Sequence, residues 1–588
     1  MKKFTHPKGD GIGGKAAGID TLTTFHRKGV FAEILVGMSA QSKFRSAGQA
    51  INPVVPDTAV LTSGHFKSYT RKDAVRDAIE SGDSDQIADA IARTPITDEV
   101  TIDAVTRLLS TFGGPLAIRS SASCEDRSKR SPFAGDFDTT FILSDISIPI
   151  TDRVNALLEA VRMVYSSFFK STVRKKMHSL GIHPEDHSMP VLIQKVVGQT
   201  HQLEINGAIH NAHLPFCSIV LTSRSIGINR PEGVKRDAPF MRIGFGMGTL
   251  VVGSDDVDCV PCTIIFPDKP GIIRTPTSIT YSEGRGDFAA RQTTDFLSSQ
   301  DRFDAMDLGS GKLQRFLFSD IKNCGFFTDN RLAFSILTQT EILNGISLIN
   351  FDPGVKENKI RAPFTGFINN PHGKLLIEFF GRLARKMKEL CGFDIDMELA
   401  VVRRGSISDS VYDVGLLQLR PFGGGVGSIN LTDVPDDLVI AKTNDCIGHG
   451  RHEFDSILLV TGDAVGDMAS AQNVIGKVDR AIGGKYLLIG PNVTADIGKG
   501  GVYGEVHNPG AVVSYTVGGM SMIAPGTHTF NNVAMMSMID VPKDKVHHLE
   551  DLLKKARKLS EGVFMIDHKV VVELDGESGS AQAFFEVD

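Results

Sequence analysis

The sequence predicts an α/β protein with more than one domain, and three observations support that prediction. Two segments, residues 151–181 and 374–390, repeat apolar residues at helical spacing. Short apolar runs bounded by Gly or Pro are typical of buried strands. With 588 residues, the chain exceeds what one hydrophobic core usually serves, so two to four domains are expected.

Composition narrows the class of protein. Hydrophobic residues at 41% and charged residues at 22% are ordinary for a globular protein, and a net charge of −6 gives no general attraction to nucleic acid or anionic membranes. The N-terminal residues lack the apolar segment of a signal peptide, and no run approaches the roughly 18 apolar residues of a membrane span. We therefore expect a cytoplasmic protein without nucleic-acid or membrane partners.

The seven cysteines are too few for a disulfide scaffold in a chain of this length. Cys259 and Cys262 form a single CxxC pair, and a zinc site needs a second pair or nearby histidines. Two reduced thiols are the favoured interpretation.

The first candidate site is the stretch 114–139. Gly-Pro sets a turn, and a short strand then delivers Arg119 beside Ser120 and Ser121. A guanidinium fixed at a strand end next to small hydroxyls suits a polyphosphate, although an Arg paired with a carboxylate is the simpler alternative. Upstream, the Gly-rich turn at 10–20 places Lys15 where its ammonium could reach phosphate oxygens, but Gly-Gly-Lys is also common in plain turns.

Two predicted helices and one predicted strand surround these motifs. The apolar stripe of residues 151–181 includes Val154, Leu157, Leu158, Val161, Tyr165, Phe168 and Phe169, and that of 374–390 includes Leu375, Leu376, Phe379, Phe380, Leu383, Met387 and Leu390. Residues 189–197 predict a short strand that carries Gln194, and a plain core strand is one interpretation.

The second candidate site is acidic. Alternation along a strand puts Asp394, Asp396 and Glu398 on one face, with no lysine adjacent in sequence. Three such carboxylates need a cation if they are buried, and Mg²⁺ bridging nucleotide phosphates is the usual solution. The alternative is an exposed edge strand with solvated acids.

These motifs resemble segments of the ATP-binding part of phosphoenolpyruvate synthase and pyruvate phosphate dikinase. The matching segments are Gly13–Lys15 (GGK), residues 55–62, Arg119–Ala122 (RSSA), 133–135 (FAG), 164–169, 189–197, 394–400 and 416–421. The resemblance implies an ATP-grasp-like nucleotide-binding domain. In that family, residues at the positions of Lys15, Arg119 and Arg420 contact phosphates, Glu398 and Gln418 hold Mg-ATP, Asp396 stands at the family's Asp, and Gln194 lies near the base.

The chain also departs from the family pattern. Residues 242–253 resemble the family's GLGExVVxG loop, but Thr249 replaces its Glu, so no metal role is expected of this loop. The phosphohistidine motif GGxTSHAA does not occur, and too few residues follow for the barrel domain that binds phosphoenolpyruvate or pyruvate.

After the Gly-rich linker at 422–427, residues 428–588 predict a smaller α/β domain. Its strands are expected at 456–460, 485–491, 563–566 and 569–574. The run Gly526-Thr527-His528 resembles the C-terminal region of uncharacterised proteins described as phosphoenolpyruvate/pyruvate-binding. His528 is therefore the first candidate phosphoryl acceptor or acid/base group, with a structural His in a turn as an equal alternative. His449, flanked by glycines, ranks second.

The predicted domains are residues 1–200 and 201–425, the two parts of the nucleotide-binding domain, and 428–588. The predicted function is an ATP-dependent phosphotransferase that uses Mg²⁺ and transfers a phosphoryl group to a small molecule or partner protein, with Arg119, Arg420 and His528 as catalytic residues. A regulatory module that binds ATP without turnover and the ATP-binding subunit of a split dikinase are the alternatives. The oligomeric state, a homo-oligomer included, stays open.

Overall fold

The computed structural model describes residues 11–41, 50–124, 137–179, 182–224, 238–252, 262–266, 274–275, 278–280, 299–300, 302–317, 321–324, 362–363, 371–404, 411–421, 429–444, 446–448, 450–482, 486–491, 509–516, 537–542, 546, 549–575, 578 and 580–586. It is an α/β protein, as the sequence predicts. The chain forms two compact units, and among the described residues the second comprises Arg224 and the residues from Pro421 onwards.

The first unit contains helices α1 (Gly13–Arg27), α2 (Val30–Gln41), α3 (Ser63–Thr70), α4 (Asp73–Ser81), α5 (Ser84–Arg93), α6 (Glu99–Thr111), α7 (Ile150–Ser167), α8 (Ser171–Ser179), α9 (Thr249–Val252) and α10 (Pro371–Cys391). Its strands are β1 (Ile51–Val54), β2 (Thr58–Leu61), β3 (Gly114–Ser120), β4 (Thr139–Ser144), β5 (Val191–Lys195), β6 (Gln199–Ile205), β7 (Ala208–Leu214), β8 (Cys217–Thr222), β9 (Phe240–Phe245), β10 (Cys262–Ile265), β11 (Arg274–Thr275), β12 (Ser278–Thr280), β13 (Ser299–Gln300), β14 (Arg302–Asp307), β15 (Lys312–Leu317), β16 (Ile321–Cys324), β17 (Ala362–Pro363), β18 (Ile395–Arg404) and β19 (Val411–Pro421). A 3₁₀ turn spans Pro184–Asp186.

Two sheets of this unit carry the candidate site. The larger has the order β1-β19-β18-β8-β9-β10-β12-β11, and the smaller has the order β2-β5-β3-β4. Two further sheets, β15-β14-β7-β6-β16 and the pair β13-β17, complete the described part of the unit.

One face of the larger sheet packs in a hydrophobic core with α10. On β18 the fully buried Met397 and Leu399 alternate with Asp396 and Glu398, and they pack in one core with the apolar stripe of α10. Because side chains alternate across a strand, the two carboxylates lie on the opposite face. The predicted helix at 374–390 and the predicted acidic strand are both present, and the helix covers the face away from the acids.

The predicted helix at 151–181 is two helices, α7 and α8, which break after Ser167. Phe168 and Phe169 are both buried, at 1% and 4% exposure, and both contact the ring of Phe66. Neighbouring residues on a continuous helix point about 100° apart, so the turn of the backbone allows both rings to enter one aromatic cluster. Apolar spacing alone did not reveal this break.

The predicted loop at 242–253 is wrong at both ends. Arg242 to Phe245 complete strand β9, and Thr249–Val252 form the short helix α9. The turn is confined to Gly246, Met247 and Gly248, where Gly246 adopts φ +78°.

The second unit contains β20 (Val439–Thr443), β21 (Cys446–Gly448), β22 (Gly450–Val460), α11 (Met468–Ala481), β23 (Tyr486–Pro491), β24 (Pro509–Thr516), β25 (Ser537–Pro542), α12 (Leu549–Lys555), β26 (Arg557–Ser560), β27 (Val563–Leu574) and β28 (Ala581–Phe585), with a 3₁₀ turn at Gly462–Asp467. One sheet runs β20-β28-β27-β22-β23-β24-β25-β21, and β26 pairs with β27. Strands β22 to β25 are parallel neighbours.

The last two predicted strands of this unit, 563–566 and 569–574, are a single strand, β27. The irregularity that separates their apolar runs is a register shift between Phe454 and Ser456 on the paired strand β22. A bulge changes which residues face the core without ending the ladder, so the sequence pattern is interrupted while the strand continues.

No helix among the described residues is both long enough and apolar enough to cross a membrane.

Helix α1 lies directly on the strands that carry the candidate site. A Cβ atom built on Gly18 would stand 1.9 Å from the carbonyl oxygen of Leu419 in β19, and one on Gly13 would stand 1.5 Å from that of Ser121. The backbone cannot move aside as the end of a flexible side chain can. Only glycine therefore allows the helix to pack this closely against these residues.

We expect Gly18→Ala to destabilise the protein by about 2–3 kcal/mol, because the added methyl group pushes α1 away from β19. Gly37→Ala in α2 is the matched control. Its nearest atom is Arg382 Nη1 at 3.9 Å, so alanine there should stabilise by about 0.5–1 kcal/mol through helix propensity. Urea unfolding measures both, and equal effects of the two substitutions would contradict this packing.

Candidate functional site

Arg119 lies at the centre of the candidate site. It stands at the end of β3, where its Nη2 donates to Glu398 Oε2 at 2.5 Å and to Gln418 Oε1 at 2.8 Å. Glu398 comes from β18 and Gln418 from β19, so the guanidinium joins the smaller sheet to the larger one. The sequence offered an Arg paired with a carboxylate as the simpler alternative to a phosphate-binding Arg. Arg119 does have a carboxylate partner, and that partner, Glu398, is itself a predicted site residue.

Asp396 and Arg420 form a second, more buried pair. Arg420 donates from Nε at 2.8 Å and from Nη2 at 2.6 Å to Asp396 Oδ2, and both side chains are 7% exposed. Asp394 lies just before β18 and pairs with Lys388 at 2.7 Å.

These pairs correct one step of the sequence argument. Lys388, only six residues before Asp394, lies beside it, and each of the three carboxylates has a protein cation. A bound metal is therefore not required to compensate their charge, and the argument for Mg²⁺ from bare carboxylates is wrong. Any case for the metal has to come from the arrangement of the oxygen ligands.

Lys15 enters the site from the first turn of α1. It is 7% exposed and its Nζ donates to Ser120 Oγ at 3.0 Å. Ser121 Oγ accepts from the backbone N–H of Ala16 at 3.1 Å and donates to the carbonyl of Ile12 at 2.9 Å, which caps the helix start. The positive end of a fifteen-residue helix and its Lys15 ammonium thus face the Arg119 strand, an arrangement that favours anions.

Gln194 is buried at 2% exposure and connects to the same site. Its Nε2 donates to Thr58 Oγ1 at 3.3 Å and to the carbonyl of Leu417 at 3.4 Å, while its Oε1 accepts from Arg119 Nη1 at 3.5 Å. Gln194 therefore contacts Nη1 of Arg119, whereas Glu398 and Gln418 contact Nη2.

The charges around Glu398 determine its ionisation. Burial raises its pKa, but Arg119, Arg420 and Lys15 together lower it to about 2. All three predicted phosphate-binding cations thus act on one carboxylate. We call these seven residues the Arg119 cluster: Lys15, Arg119, Gln194, Asp396, Glu398, Gln418 and Arg420.

Two oxygens of the Arg119 cluster fit a magnesium ion. Glu398 Oε2 and Gln418 Oε1 converge on one point, now taken by Arg119 Nη2. One carboxylate and one amide oxygen, completed by phosphate oxygens and water, are ligands that Mg²⁺ prefers. Among the described residues no group of three or more His, Cys, Asp or Glu side chains could hold a metal by itself. Asp396 instead accepts from Arg420, so its metal role stays a prediction.

Thr249 stands where the resemblance led us to expect Glu. Its Oγ1 donates to Asp304 Oδ2 at 2.7 Å, and Arg315 Nε pairs with Asp304 Oδ1 at 2.8 Å. This hydroxyl is used in fixing α9 to β14.

The structure brings Lys15, Arg119, Gln194, Asp396, Glu398, Gln418 and Arg420 together, as their predicted common role requires; that role itself stays a prediction. His528, His449, Cys259 and the FAG segment lie outside the described residues. Sequence reasoning did not foresee the capping role of Ser121, since its partners stand 105 and 109 residues away.

Comparison with known families agrees with this geometry. Residues 10–278 match the family described as pyruvate phosphate dikinase, AMP/ATP-binding domain. This match covers less than half of the chain, and it agrees with the resemblance seen in the motifs. The matched part includes Lys15, Arg119 and Gln194, whereas β18 and β19 follow it. No curated protein matches the chain.

The depressed pKa of Glu398 gives a prediction for acid stability. A carboxyl group with a pKa of about 2 when folded, against an ordinary 4.5, stabilises the fold above pH 4.5 and loses that contribution as the pH falls towards 2. The stability of wild type relative to Glu398→Gln should be constant from pH 7 to 5 and roughly 2 kcal/mol smaller at pH 3. Denaturant unfolding across this range measures it. A difference that does not change with pH would show that Glu398 titrates alike in both states.

Proposed function

We propose that the protein is an ATP-dependent phosphotransferase that binds Mg-ATP at the Arg119 cluster. The observation that carries this proposal is the meeting of Lys15, Arg119 and Arg420 around Glu398 and Gln418, within a chain whose residues 10–278 are an AMP/ATP-binding domain. Three cations on one site suit a triphosphate better than any single-charged ligand.

Each residue of the cluster has a distinct part in this proposal. Lys15 and the start of α1 bind phosphate oxygens, and the planar guanidinium groups of Arg119 and Arg420 hold them two-pronged. Gln194, on the neighbouring strand, would lie near the base of the nucleotide, as the resemblance implies. Phosphoryl transfer depends mostly on positioning and on stabilising negative charge, so these groups would suffice without a further nucleophile in this unit.

Glu398 and Gln418 are the residues that would hold Mg²⁺, with Asp396 as the third predicted ligand. The ion would neutralise charge on the phosphate oxygens. On nucleotide binding, the phosphates would compete with Glu398 for the Arg119 guanidinium, because both present oxygen acceptors to the same Nη2 group. Exchange of partners at Arg119 would leave Glu398 ready to accept a cation.

The phosphoryl acceptor is proposed to be reached through His528. One ring nitrogen attacks the phosphorus atom, a P–N bond forms, and the P–O bond to the leaving phosphate breaks with its electron pair on that oxygen. A small molecule or a partner protein then takes the phosphoryl group.

One observation favours a second candidate, a regulatory module that binds ATP without turnover. Thr249 and Asp304 hold each other at the position where the dikinases have Glu, so this loop offers no additional ionised group towards the nucleotide. The split-dikinase alternative shares the Mg-ATP site and differs only in having the acceptor domain on another chain.

We expect Arg119→Ala to abolish the rise in Tm that Mg-ATP produces in wild type, since a ligand that binds the folded state stabilises it in proportion to its affinity. When the ligand concentration is a hundred times Kd, the free energy of unfolding of wild type should rise by about 2.7 kcal/mol. Arg107→Ala is the matched control, because Arg107 is exposed and pairs with Asp103 within its own helix. Equal shifts in wild type and Arg119→Ala would place the nucleotide elsewhere.

We expect wild type incubated with phosphate-labelled ATP and Mg²⁺ to acquire acid-labile, base-stable label, the signature of phosphohistidine. His528→Ala should lose the label and His449→Ala should keep it. ATP binding without label or hydrolysis in wild type would instead support the regulatory module.

A further inference from the structure

Arg242 lies on the same face of the larger sheet as the Arg119 cluster. In the strand register Glu398 of β18 stands opposite Val220 of β8, and Val220 stands opposite Arg242 of β9. Its neighbours Met241 and Ile243 point into the core on the other face. Because directly opposed residues share a face, Arg242 and Glu398 project to the same side, two strands and about 10 Å of sheet apart.

Two neighbours of Arg242 on this face of the sheet are apolar. Val220 opposite it and Phe240 on the same face are buried at 4% and 1% exposure. Arg242 itself is partly buried, and in the part of the chain that the structure describes it has no hydrogen bond or ion pair. Desolvation alone lowers its pKa to about 10, so the guanidinium remains charged at neutral pH.

Arg153 shows what a structural arginine of this unit looks like. It is 6% exposed, and its Nε donates to Ser144 Oγ while its Nη2 donates to the carbonyls of Leu109 and Phe112. Those bonds join α7 to α6 and β4. A buried charge normally has such partners, because removal from water is costly without them.

We propose that Arg242 binds an oxyanion, a phosphate or carboxylate group of the phosphoryl acceptor, at a subsite separate from the nucleotide. Its placement as a second-substrate residue rests on the proposed function. A planar guanidinium with no protein acceptor presents a two-pronged donor to such a group, and the shared sheet face directs it towards the side where the triphosphate would lie.

The distance between the two sites supports separate ligands. Arg242 lies two strands from Glu398 in the register of the sheet, whereas Arg119 hydrogen-bonds Glu398 directly. The charges of the Arg119 cluster therefore form one group, and the charge of Arg242 stands apart from it. An anionic acceptor needs a cation of its own on this face, because the charges of the Arg119 cluster are proposed to bind the triphosphate.

The first experiment compares the stability of Arg242→Met and Arg153→Met. Replacing an unpaired buried charge with an apolar side chain of similar length should leave Tm equal to or above that of wild type. Arg153→Met should lower Tm, because it leaves buried acceptors without donors. A loss of Tm in Arg242→Met as large as that in Arg153→Met would show a structural role and overturn the proposal.

The second experiment measures binding by calorimetry and by Tm shift. The probes are inorganic phosphate and acetate, each with and without a saturating non-hydrolysable ATP analogue and Mg²⁺. Wild type should bind one anion alongside the analogue, and the stronger probe identifies phosphate or carboxylate as the class. Arg242→Met should bind that anion about tenfold or more weakly, with unchanged affinity for the analogue. Arg119→Ala should bind the analogue more weakly and should keep its affinity for the anion.

Three results would overturn the subsite. They are equal anion binding in wild type and Arg242→Met, no anion binding in wild type, and loss of analogue binding in Arg242→Met, which would make Arg242 part of the nucleotide site. Failure of wild type to bind the analogue would instead refute the proposed function. The anion titration without nucleotide would still decide whether Arg242 binds an oxyanion.

Discussion

The contact of Arg119 with Glu398 and Gln418 is the interaction on which the site depends. It joins a strand of the smaller sheet to two strands of the larger one, across 279 and 299 residues of sequence. Lys15 and Arg420 add to this interaction. Together the three cations lower the pKa of Glu398 to about 2, so the carboxylate stays ionised at pH values where an ordinary Glu is protonated. The same contact thus fixes two sheets and gathers the charges that would otherwise repel one another.

The pairing also defines how a ligand would enter. The groups proposed to hold phosphate and those proposed to hold magnesium are hydrogen-bonded to each other. A nucleotide with its metal can satisfy both sets at once, whereas a bare anion or a bare cation would separate a buried ion pair and leave one member without its partner. Tight coupling between nucleotide and metal binding is the expected consequence.

Arg242 extends the functional face beyond this cluster. The larger sheet has one face committed to the core with α10 and one that bears the site, so a charged residue in register with Glu398 is positioned for a ligand rather than for packing. Arg153 differs from Arg242 because its hydrogen-bond donors join α7 to α6 and β4.

The sequence by itself determined the α/β class, the two amphipathic stripes and the strands of Arg119 and Glu398, because local periodicity and short motifs carry that information. The set of residues in the cluster came from the resemblance to a known family. The sequence did not determine which charges pair. Lys388 beside Asp394, the break between α7 and α8, and the register that aligns Arg242 with Glu398 were decided by the tertiary structure. The contacts of Arg119 with Glu398 and Gln418 span 279 and 299 positions, and no local pattern in a single chain encodes them. Lys388 and Asp394 are six positions apart, but they meet because the chain turns between the end of α10 and the start of β18.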